Sequence, residues 1–245
     1  MALPWKVVWI TGASTGIGAE VAKQLAEAGV KVAASARHLP SLPPHPNITH
    51  FPVDVTDEQA LSVVVAEIEQ RLGPIDLAVF GAGAYEPFAP ETFSTRVFTR
   101  INEVNYLGSI HAVGAILPCF MERKSGQLAL IASVAGYQGL PKSAYYGPTK
   151  AALINLAEAL WLELRPHGIC VSVINPGFVE TPLTAANDFP MPFLMKPARA
   201  AALTIKGLKA RRFEIAYPLP FVLILKTLQK LPQGLKLRLV SFLTA

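Results

Sequence analysis

An α/β fold, a doubly wound parallel sheet with helices on both faces, is the class that three features of this sequence predict. Short apolar runs alternate with helix-periodic stretches along the 245 residues. The runs are apolar at consecutive positions, as strands buried on both faces are. A glycine-rich turn, TGASTGIG at 11–18, joins the first run to the first helical stretch. Apolar residues make up 51% of the chain and charged residues 16%, a balance that suits one large core and argues against disorder.

The strand readings are WKVVWI (5–10), VKVAASA (30–36), ITHFPV (48–53), IDLAVF (75–80), QLALIA (127–132), ICVSVIN (169–175) and FEIAYP (213–218), seven in all. After the first, Ile17, Val21, Leu25 and Ala28 recur at helical spacing and Gly29 closes the helix. Further helices are expected at 57–72, 94–122, 145–166 and 197–210. Between Arg37 and Ile48 stand four prolines, Pro40, Pro43, Pro44 and Pro46. Proline lacks the amide donor and clashes with the preceding turn, so this crossover is expected to be an extended loop. Residues 1–218 read as a dinucleotide-binding and catalytic domain, and 219–245 as a basic, apolar helical extension of it.

Composition excludes several classes. The start has no charged stretch followed by a long apolar run, so no signal peptide is expected and the reading is cytoplasmic. Cys119 and Cys170 lack metal-ligand spacing and read as reduced thiols, and no metal site is expected. The net charge of +5 comes from the end of the chain, where six basic residues face the single acid Glu214 after position 210. These basic residues alternate with leucines, not with stacking aromatics, which argues against nucleic acid.

The glycine turn points to a nucleotide. Gly12 permits a tight turn, Gly16 lets backbone amides approach a pyrophosphate, and Gly18 lets the helix pack close to the sheet. Ser14, Thr15 and Ile17 share that loop. The second strand ends Ser35-Ala36-Arg37, with no acid for the ribose hydroxyls of NAD and a guanidinium suited to a 2′-phosphate, so NADP(H) is favoured over NAD(H).

The segment SAYYGPTK (143–150) sets two tyrosines side by side. On a helix, positions four apart share a face, whereas positions five apart diverge by roughly 140°. Tyr146 therefore stacks with Lys150, and Tyr145 points elsewhere. A phenol has a pKa near 10, which a lysine ammonium and an oxidised nicotinamide would lower. Pro148 fits a helix that starts close to Tyr145.

Taken with Ser133, these motifs make the chain resemble the short-chain dehydrogenase/reductase family over about residues 5–215. The resemblance implies a single Rossmann-type domain and selects Tyr146, Lys150 and Ser133 as catalytic, with Asn105 in EVNYLG as the anchor of a proton-relay water. It also implies that Asp54 and Val55 meet the adenine, that Gly81, Ala82 and Gly83 approach the ribose, and that Pro176, Gly177, Val179 and Thr181 hold the nicotinamide. In the implied mechanism a nicotinamide exchanges hydride with a carbonyl carbon while Ser133 and Tyr146 bond to its oxygen and Tyr146 moves the proton. The sequence departs from the family at Gly81, where an asparagine usually braces the sheet. It also lacks the final strand-and-glycine ending common in the family's tetrameric reductases.

The substrate side is read from 187–197, where Phe189, Met191, Phe193, Leu194 and Met195 suggest either a lid over a lipophilic carbonyl or alcohol, or ordinary core. The tail, FVLILKTLQKL broken by Pro232 and Gly234, suits packing on its own domain, a partner, or peripheral contact with acidic lipid. A homodimer through 94–122 and 145–166 is implied by the resemblance. The rival reading is an NADP(H)-binding sensor or scaffold that turns nothing over.

Overall fold

The computed structural model describes residues 3–38 and 44–244. Seven strands form one wholly parallel sheet: β1 (Val7–Thr11), β2 (Lys31–Ser35), β3 (Ile48–His50), β4 (Leu77–Phe80), β5 (Gly126–Ile131), β6 (Ile169–Pro176) and β7 (Glu214–Tyr217). Their spatial order is β3-β2-β1-β4-β5-β6-β7, so the chain reverses direction across the sheet between β1 and β4. Each strand expected from the sequence is present, with ends shifted by one or two residues except β3, which stops three residues short of the expected 48–53.

Helices α1 (Gly16–Glu27), α2 (Glu58–Leu72), α3 (Thr95–Asn102), α4 (Gly108–Arg123), α5 (Gly147–Leu164) and α6 (Pro197–Lys209) cover the two faces. Strand alternation divides the core. Val7 and Trp9 of β1 face one layer with Leu61 and Ile68 of α2, Ile116 and Phe120 of α4, and Leu153 and Ala157 of α5. Val8 and Ile10 face the other, with Val21 and Leu25 of α1 and Ala201 and Leu208 of α6. Hydrophobic strands with period two are therefore buried on both sides, which is why their sequences look uniformly apolar.

Local signals place the helix ends. The Asp57 side chain accepts from the Ala60 amide at 2.9 Å and caps α2. Pro148 sits in the first turn of α5, where its missing donor costs nothing. The prolines of the β2–β3 crossover fall partly outside the described residues, since 39–43 are not among them; Pro44 and Pro46 lie in non-helical chain.

One expectation needs correction. The stretch 94–122 is not a single α-helix, because a π-helical turn at Glu103–Leu107 separates α3 from α4. The Asn105 carboxamide there reaches the Ala84 backbone, accepting at 2.7 Å and donating at 3.0 Å. Gly108 follows at once; a side chain on it would lie 2.6 Å from Val55 Cγ2. The widened turn thus serves two tertiary contacts that helical periodicity does not encode. By length and composition Thr95–Arg123 could cross a membrane. In the fold its residues Ile101, Ala112, Ile116 and Phe120 are fully buried in the protein.

The chain ends in α7 (Leu219–Gln229) and α8 (Gln233–Thr244). Val222 and Leu225 of α7 are buried against Val134, which follows Ser133.

Candidate active site

A cavity of about 760 Å3 opens at the carboxyl ends of the strands, beside the β1/β4 reversal point, where open α/β sheets bind ligands. Its floor is the β1–α1 turn. Gly12, at φ 70°, passes so close to β4 that a side chain would lie 2.4 Å from the Gly81 carbonyl carbon. The Gly81 amide in turn donates to Thr11, to its carbonyl at 3.1 Å and to its hydroxyl at 3.3 Å, stitching β4 to β1. The Cβ of an asparagine at 81 would stand 2.9 Å from Ile131 Cδ1, so here glycine and a threonine brace the strand ends.

Helix α1 begins with no side-chain cap on Thr15 and no acid in its first turn. Its positive end therefore faces the cavity uncompensated by the chain's own groups. An uncapped helix start, a glycine turn held against the sheet and an adjoining apolar wall fit a dinucleotide, with Gly12, Ser14, Thr15, Gly16, Ile17 and Gly18 at the pyrophosphate position.

Ser133, Tyr146 and Lys150 line the same cavity. Tyr146 caps α5 and Lys150 lies one turn on; the Lys150 amide donates to the Tyr146 carbonyl at 3.3 Å. The Lys150 ammonium sits 5.3 Å from the Tyr146 ring centroid and donates to the Ile131 carbonyl at 2.8 Å. Ser133 Oγ accepts from the Ala135 amide at 3.1 Å and donates to the Pro176 carbonyl at 3.4 Å. Tyr145, by contrast, is 2% exposed within a ring cluster of Phe88, Phe93 and Phe98, and its hydroxyl accepts from the Ser94 amide at 2.7 Å. Neighbours in sequence thus face different surroundings, Tyr146 the cavity and Tyr145 an aromatic core.

Burial dominates the electrostatics of the site. Without nucleotide, removal from water pushes the Tyr146 pKa above 10, a hydrogen bond with Ser133 opposes this, and nearby Tyr85 adds to the rise. Burial lowers Lys150 from 10.5 to about 8. Each shift has its own burial as the largest cause, since removal from water penalises phenolate and ammonium alike. At neutral pH the phenol therefore stays protonated and the lysine stays largely an ammonium, though a weaker cation than in water.

Most of the remaining sequence candidates border the cavity: Gly81, Gly83, Pro176, Gly177, Val179 and Thr181. Ala82, Arg37, Asp54, Val55 and Asn105 do not. Arg37 is exposed at the end of β2 and has no ion-pair partner among the described residues. Asp54 Oδ1 accepts from the Thr56 amide at 3.0 Å and hydroxyl at 2.9 Å, forming a turn. Val55 is 7% exposed under Gly108. Asn105 is fully buried, and its second amide hydrogen goes to Thr149 Oγ1 at 3.2 Å. Thr149 Oγ1 donates to the Tyr146 carbonyl at 2.7 Å. The side chain of Asn105 thus braces the start of α5, with both amide hydrogens spent.

The substrate wall holds residues that motifs did not reveal: Tyr85, Gln138, Leu140, Thr184 and, from α7, Phe221, Ile224, Leu225 and Leu228. Tyr85 meets Tyr146 edge to face at 5.4 Å. Only the apolar character of α7 hinted at its part. The 187–197 loop divides: Phe189 and Phe193 line the cavity, with Phe178, Phe193 and Phe221 in ring contact. Met195 is instead core, 6% exposed and bridged to Val179, and Leu194 is 46% exposed.

A parallel sheet with a nucleotide-sized cavity and a Ser–Tyr–Lys constellation defines a nicotinamide-linked α/β enzyme. Comparison with known proteins agrees. The profile of the short chain dehydrogenase family matches residues 6–189. An uncharacterized oxidoreductase of Myxococcus xanthus is 34% identical over 241 residues, covering 95% of each chain. A short-chain dehydrogenase structure from Streptomyces avermitilis has a TM-score of 0.81 at 28% identity, covering 91% of this chain and 92% of that one. An actinorhodin polyketide ketoreductase variant solved with NADPH has a TM-score of 0.76 at 25% identity, covering 88% and 96% respectively. The chain belongs to the short-chain dehydrogenase family and is an NAD(P)-dependent oxidoreductase.

Proposed function

We propose that the protein interconverts a ketone or aldehyde with its alcohol on a largely apolar substrate, using NADP(H), with Tyr146 as general acid/base. The observation that carries this reading is the convergence of Ser133, Tyr146 and Lys150 on one cavity whose far wall is apolar. A bound nicotinamide supplies or takes the hydride at the carbonyl carbon. Ser133 and Tyr146 donate hydrogen bonds to the carbonyl oxygen, where negative charge builds, and Tyr146 passes its proton there. A raised phenol pKa keeps that proton in place at neutral pH, which is the form a carbonyl reduction needs. Lys150 and a bound oxidised ring together supply the positive charge that lets the phenolate form in the opposite direction.

Preference for NADP(H) is supported by Arg37, exposed and without an ion-pair partner among the described residues, and by the absence of an acid at the end of β2. The ketoreductase neighbour solved with NADPH supports it too. Pairing of two copies through α3, α4 and α5 is supported by the outer apolar residues Phe98 and Leu162, exposed by 40% and 66%. Contact of the C-terminal segment with acidic lipid is supported by exposed Leu235, Leu237 and Phe242 near Lys236 and Arg238.

Tyr146→Phe is expected to cut carbonyl-dependent NADPH oxidation by about 10²–10⁴-fold while nucleotide affinity by calorimetry stays the same. Should a broad carbonyl panel show no turnover with the intact enzyme, the sensor or scaffold reading replaces this one. Arg37→Asp is expected to shift the NADPH/NADH preference by roughly tenfold or more towards NADH. An unchanged ratio would show that the 2′-phosphate lies elsewhere.

A further inference from the structure

Three side chains on the substrate wall carry buried polar atoms with no hydrogen-bond partner among the described residues: Gln138 Nε2 and Oε1, Ser143 Oγ and Asn187 Oδ1. All three line the catalytic cavity. Gln138 and Ser143 are each only 9% exposed. A buried polar group left unpaired costs free energy, so such groups cluster where a ligand completes them.

Their positions are fixed by contacts that run away from the cavity. Gln138 follows Tyr137, whose hydroxyl donates to Glu214 Oε1 at 2.5 Å and whose carbonyl accepts from Gln229 Nε2 at 2.5 Å. Ser143 follows Lys142, and Asn187 precedes Asp188; the Lys142 ammonium and Asp188 carboxylate pair at 2.5 Å. That ion pair links the loop before Tyr146 to the loop before Phe189, and so holds the free atoms of Ser143 and Asn187 on the same cavity.

We infer that Gln138, Ser143 and Asn187 form a polar subsite that takes a second, neutral donor–acceptor group of the substrate, a carboxamide or a hydroxyl, apart from the reacting carbonyl. Gln138 offers a donor and an acceptor, Ser143 can act as either, and Asn187 adds an acceptor. A carboxylate or phosphate is disfavoured, because Lys142, the cation on this wall, already pairs with Asp188. The surrounding Leu140, Phe189, Phe221, Ile224 and Leu228 take an apolar body. The substrate is thus an apolar carbonyl compound with one further neutral polar group. The inference deepens the proposed reaction and rests on that reading for its substrate.

The test uses matched medium-chain ketones, one series carrying a carboxamide at successive distances from the carbonyl and the other lacking it. Binding is measured by calorimetry with NADP⁺ saturating, where a ketone cannot turn over, and kcat/KM is measured with NADPH. The intact enzyme is expected to bind at least one amide ketone roughly ten- to a hundredfold tighter than its partner. Gln138→Met, similar in length, is expected to erase that preference by weakening the amide ketone far more than the plain one. Ser143→Ala, a smaller change, is expected to reduce it in part. Since each replacement removes buried unpaired groups, Tm should hold or rise by about 2–4 °C. Equal affinity across all pairs, no binding of either series, or equal losses for both members of a pair in the variants would overturn the subsite and leave ordered water as the partner of these groups. Turnover of both series without preference overturns the subsite alone. Selective binding with no turnover overturns the proposed reaction while the subsite stands.

Discussion

Lys150 is 4% exposed, and burial lowers its pKa from 10.5 to about 8. The folded chain therefore releases a proton near pH 8 that the unfolded chain keeps until about 10.5. Between those values the unfolded state binds more protons, so this group makes stability rise with pH; below pH 8 its penalty is present in full. Lys150→Met lacks the titration. Across that window the wild-type Tm is expected to gain a few degrees relative to the variant, read by calorimetry at several pH values without nucleotide. A constant gap would mean that the lysine stays charged in the fold. The choice of Tyr146 over Tyr145 was legible in the sequence, because helical spacing is a local property. The direction of the Tyr146 shift was not. It depends on burial in the folded cavity, with Tyr85 adding to the rise and a hydrogen bond with Ser133 opposing it, all of which the fold supplies.

At the level of elements, every strand was readable from apolar runs, and α5 from its proline and spacing. The π-helical turn at Glu103–Leu107 was not, since it exists to bring Asn105 to Ala84 and Thr149. Gly81 marks a second tertiary decision. Gly81→Asn is expected to lower Tm by about 2–6 °C, through contact with Ile131 Cδ1 and the Thr11 carbonyl. Adding Ile131→Val should recover part of the loss; no recovery would place the strain elsewhere. Helix α7 is held by Glu214, which accepts from Tyr137 at 2.5 Å and from Asn175 Nδ2 at 3.0 Å and pairs with Lys226. Half-burial works against the carboxylate, yet Lys226, Tyr137 and Asn175 hold its pKa below the usual value. Its stabilising effect is therefore present above the ordinary glutamate range near 4.5 and is lost as pH falls through the lower folded value. Glu214→Ala is expected to expose α7 to trypsin at Lys226 and Lys230 and to raise the substrate KM, with nucleotide affinity unchanged. Equal resistance of the two proteins would show that apolar contacts alone hold the helix.

Across the whole molecule, charge is divided between a neutral body and a basic end. Of the tail's cations, Lys226 is spent on Glu214, while Lys236 and Arg238 flank the exposed leucines of α8. A chain ending after Lys230 keeps α7 and lacks α8. It is expected to fold with a similar Tm and, on the lipid reading, to stop floating with anionic liposomes that carry the full-length protein. Equal flotation of both forms, or of neither, would remove lipid from the account of this segment. The tail's apolar and basic pattern was legible in the sequence, but its two uses were not separable there. One face of α7 closes the cavity, with Val222 and Leu225 buried, whereas Leu219 and Leu223 are 66% and 62% exposed.

What the sequence alone determined rests on short-range regularities: strand and helix periods, a glycine turn between them, and residues four apart on one helical face. These follow from backbone geometry and need no knowledge of distant contacts. Only the tertiary structure decided which polar atoms are left without partners among the described residues, which ionisable groups burial shifts, and that α7 walls the cavity. Desolvation and packing depend on neighbours such as Ser133 and Glu214 that the fold, not the chain order, brings to the same place.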